Sequence, residues 1–248
     1  MTPIDRPPQS EPRRLYLLPV ETTALPLGGS LYGMVVCYLI QMSDGRNILV
    51  DSGVAPDYQP PAGAPPHTHE HTVISRLAEL SLRPDDIDLL ICTHFDVDHS
   101  GHHDAFPAAE LLVQRAHYEL ARSGHPRYAA ARAHWDHPAL RYRLVEGDTE
   151  LVPGVTLLET SGHAPGHQSV LVRLPQTGPV LLAADAVVLE RLFTPERHAW
   201  PLDDDEQQLR ASTRKLLDLV AHEPVALVIY GHDAEQWQTL KTAPDYYV

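Results

Sequence analysis

Short apolar runs that end in polar turns dominate the first fifty residues and predict β-strands. The runs LYLLPV, VVCYLIQM and RNILVDSG follow this pattern. Asp44-Gly45 separates the second run from the third and predicts a hairpin. Further along, apolar residues recur at the spacing of one helical face, at Val73, Ile74, Leu77 and Leu80. The chain is therefore predicted to begin with strands and to continue into a helix.

The same succession of strands and helices returns in the rest of the chain. Residues 87–93 predict a buried strand, and residues 107–122 predict a strand followed by a short helix. Further strand-like runs are RLVEGD, GVTLLET, SVLVRL and VLLAAD. A last helix is predicted after residues 203–205, whose carboxylates suit the positive end of a helix, and VALVIY predicts the final strand. This order predicts an α/β fold in which two sheets pack face to face with helices outside.

Three segments depart from the strand and helix patterns. Residues 1–14 are rich in proline and predict a disordered lead-in, which leaves residues 15–248 as a single domain. Residues 55–70 are rich in Pro, Gly and His and predict a long loop of the kind that often forms a functional lid. Residues 123–143 mix Pro, Ala, Arg and His and are interpreted as an inserted cap.

A cluster of potential metal ligands follows the predicted strand at residues 87–93. His94, Asp96, Asp98 and His99 lie together in ICTHFDVDHSG. A strand can hold such groups in place before an ion arrives. Neighbouring buried carboxylates repel one another, and a divalent cation neutralises them. The cluster therefore predicts a metal site, although a solvated acidic loop with scattered histidines is the alternative.

Later segments contain further residues of ligand type, each at the end of a strand-like run. His163 and His167 lie in SGHAPGHQS, Asp185 lies in LLAADA, and His232 lies in VIYGHD. One loop does not supply enough ligands for a metal ion, so we expect these segments to meet the first cluster.

Together these motifs resemble the metallo-β-lactamase superfamily. The resemblance rests on H-x-[HED]-x-D-H, a distant G-H, an aspartate after an apolar strand and a second G-H near the end of the chain. LVDSG, at residues 49–53, resembles the aspartate motif of an early strand in that family. LVPGVTLLETSGHAPGHQSVLV, GHDAEQW and VQRAHYELA resemble the branch of N-acyl homoserine lactone lactonases. The resemblance implies an αββα sandwich of two mixed β-sheets with helices outside.

The resemblance also implies a dinuclear metal centre and a function. It assigns a first ion to His94, Asp96 and His163, a second ion to Asp98, His99 and His232, and both ions to Asp185 as a bridge. A hydroxide shared by the two ions would attack the carbonyl of a lactone, and Asp98 would pass a proton to the leaving oxygen. Asp51 and His167 are expected to orient the ligands. The implied substrate class includes N-acyl homoserine lactones, the substrates of quorum-quenching enzymes.

Two positions depart from the pattern of the lactonase branch. Asp96 stands where a second histidine is usual, which leaves open whether Asp96, His102 or His103 completes the first ion site. Val188 stands where the branch has a tyrosine that contacts the substrate carbonyl. We expect Val188 and Tyr32 to line the substrate pocket. Zinc is the first choice of metal, while the additional oxygen ligand keeps Mn²⁺ and Fe²⁺ open.

Composition limits the classes of partner. The formal net charge of −14 argues against a nucleic-acid substrate, because a polyanion would be repelled. No run approaches the roughly 20 apolar residues of a membrane span, and no membrane partner is expected. The N-terminus has no apolar core of a signal peptide, so a cytoplasmic location is expected. The oligomeric state stays open, with a dimer among the options.

Two alternatives to a lactonase stay open. One is an ester or thioester hydrolase of the same superfamily with another substrate. The other is a non-catalytic scaffold protein that binds metal, which the loss of several ligands would favour. Fold by itself does not decide among these functions.

Overall fold

Two β-sheets form the centre of the computed structural model, in which residues 10–24, 32–59, 67–68 and 71–248 are described. Within these residues, the first sheet consists of β1 (Pro12–Ala24), β2 (Tyr32–Met42), β3 (Asn47–Val50), β4 (His67–Thr68), β5 (Leu89–Ile91), β6 (Glu110–Gln114) and β7 (Arg141–Val145). The second sheet consists of β8 (Thr149–Val152), β9 (Val155–Glu159), β10 (Gln168–Leu174), β11 (Gly178–Ala184) and β12 (Leu227–Tyr230). Both sheets mix parallel and antiparallel pairs.

The order of strands brings the ends of sequence-distant strands to one edge. The first sheet has the order β4-β1-β2-β3-β5-β6-β7, and the second has the order β12-β11-β10-β9-β8. β3, β5, β6 and β7 run parallel, as β11 and β12 do in the second sheet. Parallel neighbours end on the same side of a sheet, so the loops that follow them meet there.

Helices pack against the two sheets. They are α1 (Val73–Glu79), α2 (Arg115–Arg122), α3 (Arg132–Trp135), α4 (Glu206–His222) and α5 (Ala234–Trp237). Thr72 caps α1 by accepting a hydrogen bond from the backbone N–H of Ser75, and Asp205 caps α4 in the same way through Gln208. None of the described helices is long and apolar enough to cross a membrane.

Among the described residues, three apolar clusters correspond to the three interfaces of this architecture. The cluster between the sheets includes Leu17 and Ile40 from the first sheet with Val170 and Leu182 from the second. A second cluster lies between the first sheet and α1 and α2, and a third between the second sheet and α4. The predicted α/β fold, an αββα sandwich of two mixed sheets, is confirmed.

The boundaries of some predicted segments differ from the structure. β1 begins at Pro12, so the prediction of a disordered lead-in was wrong for residues 12–14, where pairing with β2 orders the backbone. Residues 1–9 lie outside the described residues, as do residues 60–66 and 69–70 of the predicted lid. Residues 67–68 form β4 instead of a loop, because they pair with β1.

The segment interpreted as a cap is anchored in the apolar core. Tyr128 and Trp135 are almost fully buried, and the Trp135 ring stacks on Phe95 with centroids 4.7 Å apart. The indole N–H of Trp135 donates to the carbonyl of Tyr128. Because Phe95 lies next to His94, this packing connects the segment to the first cluster of ligands.

Gly101 permits a close approach between two loops beside the site. Its N–H donates to Gly53 O at 2.7 Å, and a Cβ at residue 101 would lie 2.0 Å from the backbone nitrogen of Ala55. We expect Gly101→Ala to lower the free energy of unfolding by about 3 kcal/mol, because one backbone must move away from the other. Chemical denaturation measures this loss. Gly45→Ala is the control, because nothing lies within 4 Å of a Cβ there. It should cost only about 1 kcal/mol through its left-handed φ, and equal losses would contradict the expectation.

Candidate metal centre

Four loops bring six of the seven predicted ligands together at one edge of the sandwich. The loops follow β5, β9, β11 and β12. The ligand atoms of His94, His163 and Asp185 all lie within 4.8 Å of one another, and those of Asp98, His99 and His232 do the same. We call the first group the first position and the second group the second position. All of these side chains except Asp98 are buried.

Hydrogen bonds orient the four imidazoles. Each Nδ1 contacts a neighbouring oxygen, which leaves each Nε2 directed into the site. The oxygens are Thr93 Oγ1 for His94 (3.0 Å), Asp51 Oδ2 for His99 (2.8 Å), Asp203 Oδ1 for His163 (2.9 Å) and the Met34 carbonyl for His232 (2.8 Å). The rings are therefore arranged as metal ligands usually are.

The site also contains buried polar atoms that lack a hydrogen-bond partner among the described residues. These atoms are Nε2 of His94, Nε2 of His99 and Oδ1 of Asp185. A buried polar atom without a partner costs free energy, so its presence requires a reason. Divalent metal ions would satisfy all three atoms, so the residues present fit the metal that the donor set implies.

Asp185 lies between the two positions. Its Oδ1 is 3.1 Å from Nε2 of His232 and 3.5 Å from Nε2 of His99, while its Oδ2 is 3.4 Å from Nε2 of His163. Burial would raise the pKa of Asp185, but the nearby His232 and His99 hold it well below its usual range. Ala184, just before it, has a φ of 47°, so a strained turn presents this carboxylate to the site.

Asp51 and His167 contact the predicted ligands. Asp51 accepts hydrogen bonds from the Thr93 backbone N–H and hydroxyl, both at 2.8 Å, and contacts His99. His167 accepts the backbone N–H of Asp185 at 3.2 Å. Burial lowers the pKa of His167 well below its usual value, which keeps the ring neutral and able to accept. The predicted orienting roles agree with these contacts, and they stay predictions.

Asp96 contacts both the first position and an arginine. Its Oδ2 lies 3.3 Å from Nε2 of both His94 and His163. Arg127 donates to both of its oxygens, from Nε to Oδ1 at 2.7 Å and from Nη2 to Oδ2 at 2.6 Å. Burial opposes ionisation, but His94 and Arg127 hold the pKa of Asp96 well below its usual range. Asp96 lies where a ligand would, and its role as a ligand stays a prediction.

His102 and His103 contact Ser52. His103 Nδ1 is 2.7 Å from the Ser52 hydroxyl, and His102 Nδ1 is 3.1 Å from the Ser52 carbonyl. Burial lowers the pKa of His103 to about 3, so its ring is neutral. Neither histidine belongs to a ligand group among the described residues. The alternative in which one of them completes the first position therefore gains no support from the geometry.

Val188 and Tyr32 are the two residues predicted to line the substrate pocket. The Val188 carbonyl accepts the backbone N–H of His232 at 2.9 Å, and only 4% of the residue is exposed. Val188 therefore lies beside the second position. The Tyr32 backbone begins β2, but its side chain lies outside the described part of the chain. Its predicted place in the pocket stays a prediction.

Three residues at the site were missed from the sequence. Arg127 binds Asp96, Asp203 binds His163, and His117 binds the loop after β5 by accepting the Phe95 N–H at 2.8 Å. Burial lowers the pKa of His117 to about 4, which suits an acceptor. Asp96 itself indicated that a basic partner is present, because a buried carboxylate in place of an imidazole carries a negative charge that a nearby positive charge must neutralise. Nothing in the sequence pattern selects Arg127 from the other arginines.

Comparisons with known proteins agree with this geometry. The sequence profile of the metallo-beta-lactamase superfamily matches residues 32–232. An N-acyl homoserine lactonase of Bacillus sp. is 33% identical, with 94% of this chain and 98% of that protein covered. AiiA, an N-acyl homoserine lactonase of Bacillus thuringiensis subsp. kurstaki, is 32% identical over the same shares. A crystal structure of a quorum-quenching N-acyl homoserine lactone lactonase superposes with a TM-score of 0.84 at 32% identity, covering 96% of this chain and all of that one.

The chain belongs to the metallo-β-lactamase superfamily. Within that superfamily it is similar to the N-acyl homoserine lactonases over almost its full length. The predicted family and the predicted enzyme class, a lactonase-like metal-dependent hydrolase, are confirmed.

Proposed function

We propose that this protein is a dinuclear metal-dependent hydrolase that opens lactones, N-acyl homoserine lactones among them. The single observation that carries the proposal is the pair of ligand groups on either side of Asp185. A carboxylate has two oxygens and can bridge two cations, so the arrangement suits two ions that act on one substrate. Opening such lactones would make the protein a quorum-quenching enzyme.

The relatives support this substrate class. A solved N-acyl homoserine lactone hydrolase, 31% identical with a TM-score of 0.83, holds the product N-hexanoyl-L-homoserine at its catalytic metal centre. It covers 96% of this chain and is itself covered completely. The proposal extends that chemistry to the present chain, because the two proteins share a fold over almost the whole of this chain.

Hydrolysis of a lactone adds water across the ring C–O bond and releases a hydroxy acid. Bound divalent ions would act as Lewis acids on the carbonyl and lower the pKa of water towards neutrality. Asp98 would hold a proton and deliver it to the leaving ring oxygen. Its side chain is 25% exposed, whereas the Asp185 side chain is 7% exposed, so Asp98 is the more accessible carboxylate for a substrate.

The remaining residues hold this arrangement in place. The contact from Asp51 to His99 fixes which nitrogen of that ring faces the second position. His163 Nδ1 lies 2.9 Å from Asp203 Oδ1, and this contact leaves Nε2 of that ring facing the first position. A ring fixed in this way limits the positions that a substrate can take.

A pH-drop assay across a panel of lactones tests the proposed function. Each turnover releases a carboxylic acid, so hydrolysis is measured directly. We expect turnover of γ-lactones, δ-lactones and N-acyl homoserine lactones by metal-loaded protein, and none by protein treated with a chelator. Turnover of simple esters or thioesters alone would favour the other hydrolase class. Metal binding without any turnover would favour the scaffold protein.

We expect two divalent ions per chain after loading. The reason is that the ligand atoms form two separate groups and that Asp185, in the first group, also contacts His99 and His232 of the second. Elemental analysis after separate loading with Zn²⁺, Mn²⁺ and Fe²⁺ measures the number. Zinc is the first choice because imidazoles predominate, and the Asp96 oxygen favours Mn²⁺ or Fe²⁺ relative to an all-imidazole site. Fewer than about one ion per chain with every metal would exclude the dinuclear centre.

A further inference from the structure

The guanidinium of Arg127 uses all five of its N–H groups next to the first position. Nε and Nη2 donate to the two oxygens of Asp96. Nη2 also donates to Nε2 of His163 at 2.8 Å. Nη1 donates to the His163 carbonyl and to Asp204 Oδ1, both at 2.9 Å. Because a guanidinium has five N–H donors, this set of contacts is complete.

Two of the acceptors are atoms that an ion at the first position would need. Nε2 of His163 has one lone pair, which binds either an N–H or a metal ion. Oδ2 of Asp96, the oxygen near His94 and His163, accepts from Nη2 at 2.6 Å. Arg127 also places a permanent positive charge beside the first position, and two cations repel strongly where water is excluded.

No comparable cation contacts the second position in the described part of the chain. Among the described residues, the side-chain contacts of Asp98, His99 and His232 are with one another, with Asp185 and with neutral or acidic groups. Asp51, behind His99, adds a further buried carboxylate. The two positions therefore differ in charge although they share Asp185.

We propose that Arg127 competes with the ion at the first position for Asp96 and His163, so that the second position binds its ion more tightly. The inference rests on the proposed metal centre and adds an order of binding to it. Arg127 is a positioning residue in this account, because it acts on the ligands and not on the substrate. Its side chain is 16% exposed and Asp204 holds it from the solvent side, so the competition is built into the fold.

Graded removal of metal from the loaded chain tests the competition. The zinc-loaded protein is dialysed against buffers of decreasing free Zn²⁺, and elemental analysis gives the ions retained per chain. We expect wild type to lose its ions in two steps, at free Zn²⁺ concentrations that differ by at least about tenfold, or ~1.4 kcal/mol. Arg127→Met and Arg127→Gln should tighten the weaker step by at least about tenfold, because both remove the charge.

Arg132→Met is the matched control. Arg132 lies in the same segment, its guanidinium binds Asp136, and its side chain is 49% exposed. This variant should retain both steps at wild-type concentrations. A single step in wild type, or a weaker step that stays unchanged or weakens further in the Arg127 variants, would overturn the proposal. If wild type retains one ion and Arg127→Met retains two, the proposal is supported, because Arg127 then excludes the ion from the first position altogether.

Imidazole NMR identifies the position that keeps its ion. At one ion per chain, the ring signals of His99 and His232 should match those of the fully loaded protein, while those of His94 and His163 should change. This measurement uses wild type, so it decides the question even if neither Arg127 variant folds. If the single remaining ion instead lies at His94 and His163, the proposal is refuted.

These measurements are independent of lactone hydrolysis. Two ions bound with equal affinity, together with rapid lactone turnover, would contradict the competition and leave the proposed function standing. Two ions of different affinity, with the weaker one tightened in the Arg127 variants but no turnover of any lactone, would support the competition and contradict the proposed function.

Discussion

Asp185→Asn is expected to lower kcat/KM for lactones by about 10³-fold, because several kcal/mol of metal-ion catalysis depend on a carboxylate that contacts both positions. Its two oxygens lie 3.1–3.5 Å from imidazole nitrogens of both groups. An amide has one oxygen and no charge, so it cannot bridge two cations equally well. Asp96→Asn should cost less, about 10- to 100-fold, because Asp96 serves one position and Arg127 already compensates its charge.

Steady-state kinetics and elemental analysis together distinguish the two variants. Asp185→Asn should lose metal as well as activity, whereas Asp96→Asn should keep at least the ion at the second position. Asp44→Asn is the control, because that exposed carboxylate pairs with Arg46 in the β2–β3 turn, away from the metal centre. A larger loss in Asp96→Asn than in Asp185→Asn would mean that the bridging role belongs elsewhere.

Val188→Tyr is expected to raise kcat/KM for N-acyl homoserine lactones by about 10²-fold, the effect of one hydrogen-bond donor at a reacting carbonyl. Val188 has no such donor, and its carbonyl binds the backbone of His232, which places it beside the second position. We therefore expect wild type to be weaker on these substrates than the lactonase resemblance alone implies. Simple γ- and δ-lactones should change less.

Val188→Phe separates the hydroxyl from the ring. It introduces the same aromatic volume into a residue that is only 4% exposed, so any loss through packing should appear in both variants. Only Val188→Tyr should gain activity. Fast turnover of N-acyl homoserine lactones by wild type, with no gain in Val188→Tyr, would show that another donor acts there. Tyr58 is one candidate for that donor. Burial raises the pKa of its phenol, and the charge of Asp98 raises it further.

The sequence alone determined the strand and helix order and the ligand types. Apolar alternation marks a strand wherever one face is buried, and here each ligand loop follows a strand. His94, His163, Asp185 and His232 were predicted because each lies at the end of a strand-like run, and in the structure these strand ends, from both sheets, meet at one edge of the sandwich. The start of β1 was predicted too late, because pairing with β2 extends the strand to Pro12, beyond its apolar run.

Only the tertiary structure decided which side chains compensate or orient the ligands. Arg127 lies 31 residues from Asp96, and Asp203 lies 40 residues from His163, so no local periodicity relates them. His102 and His103 follow the ligand cluster directly, yet their rings bind Ser52 after β3. A hydrogen bond or charge pair requires two groups to lie about 3 Å apart in the folded chain, so it depends on the tertiary structure. Strands and helices follow from the periodicity of neighbouring residues, which the sequence itself contains.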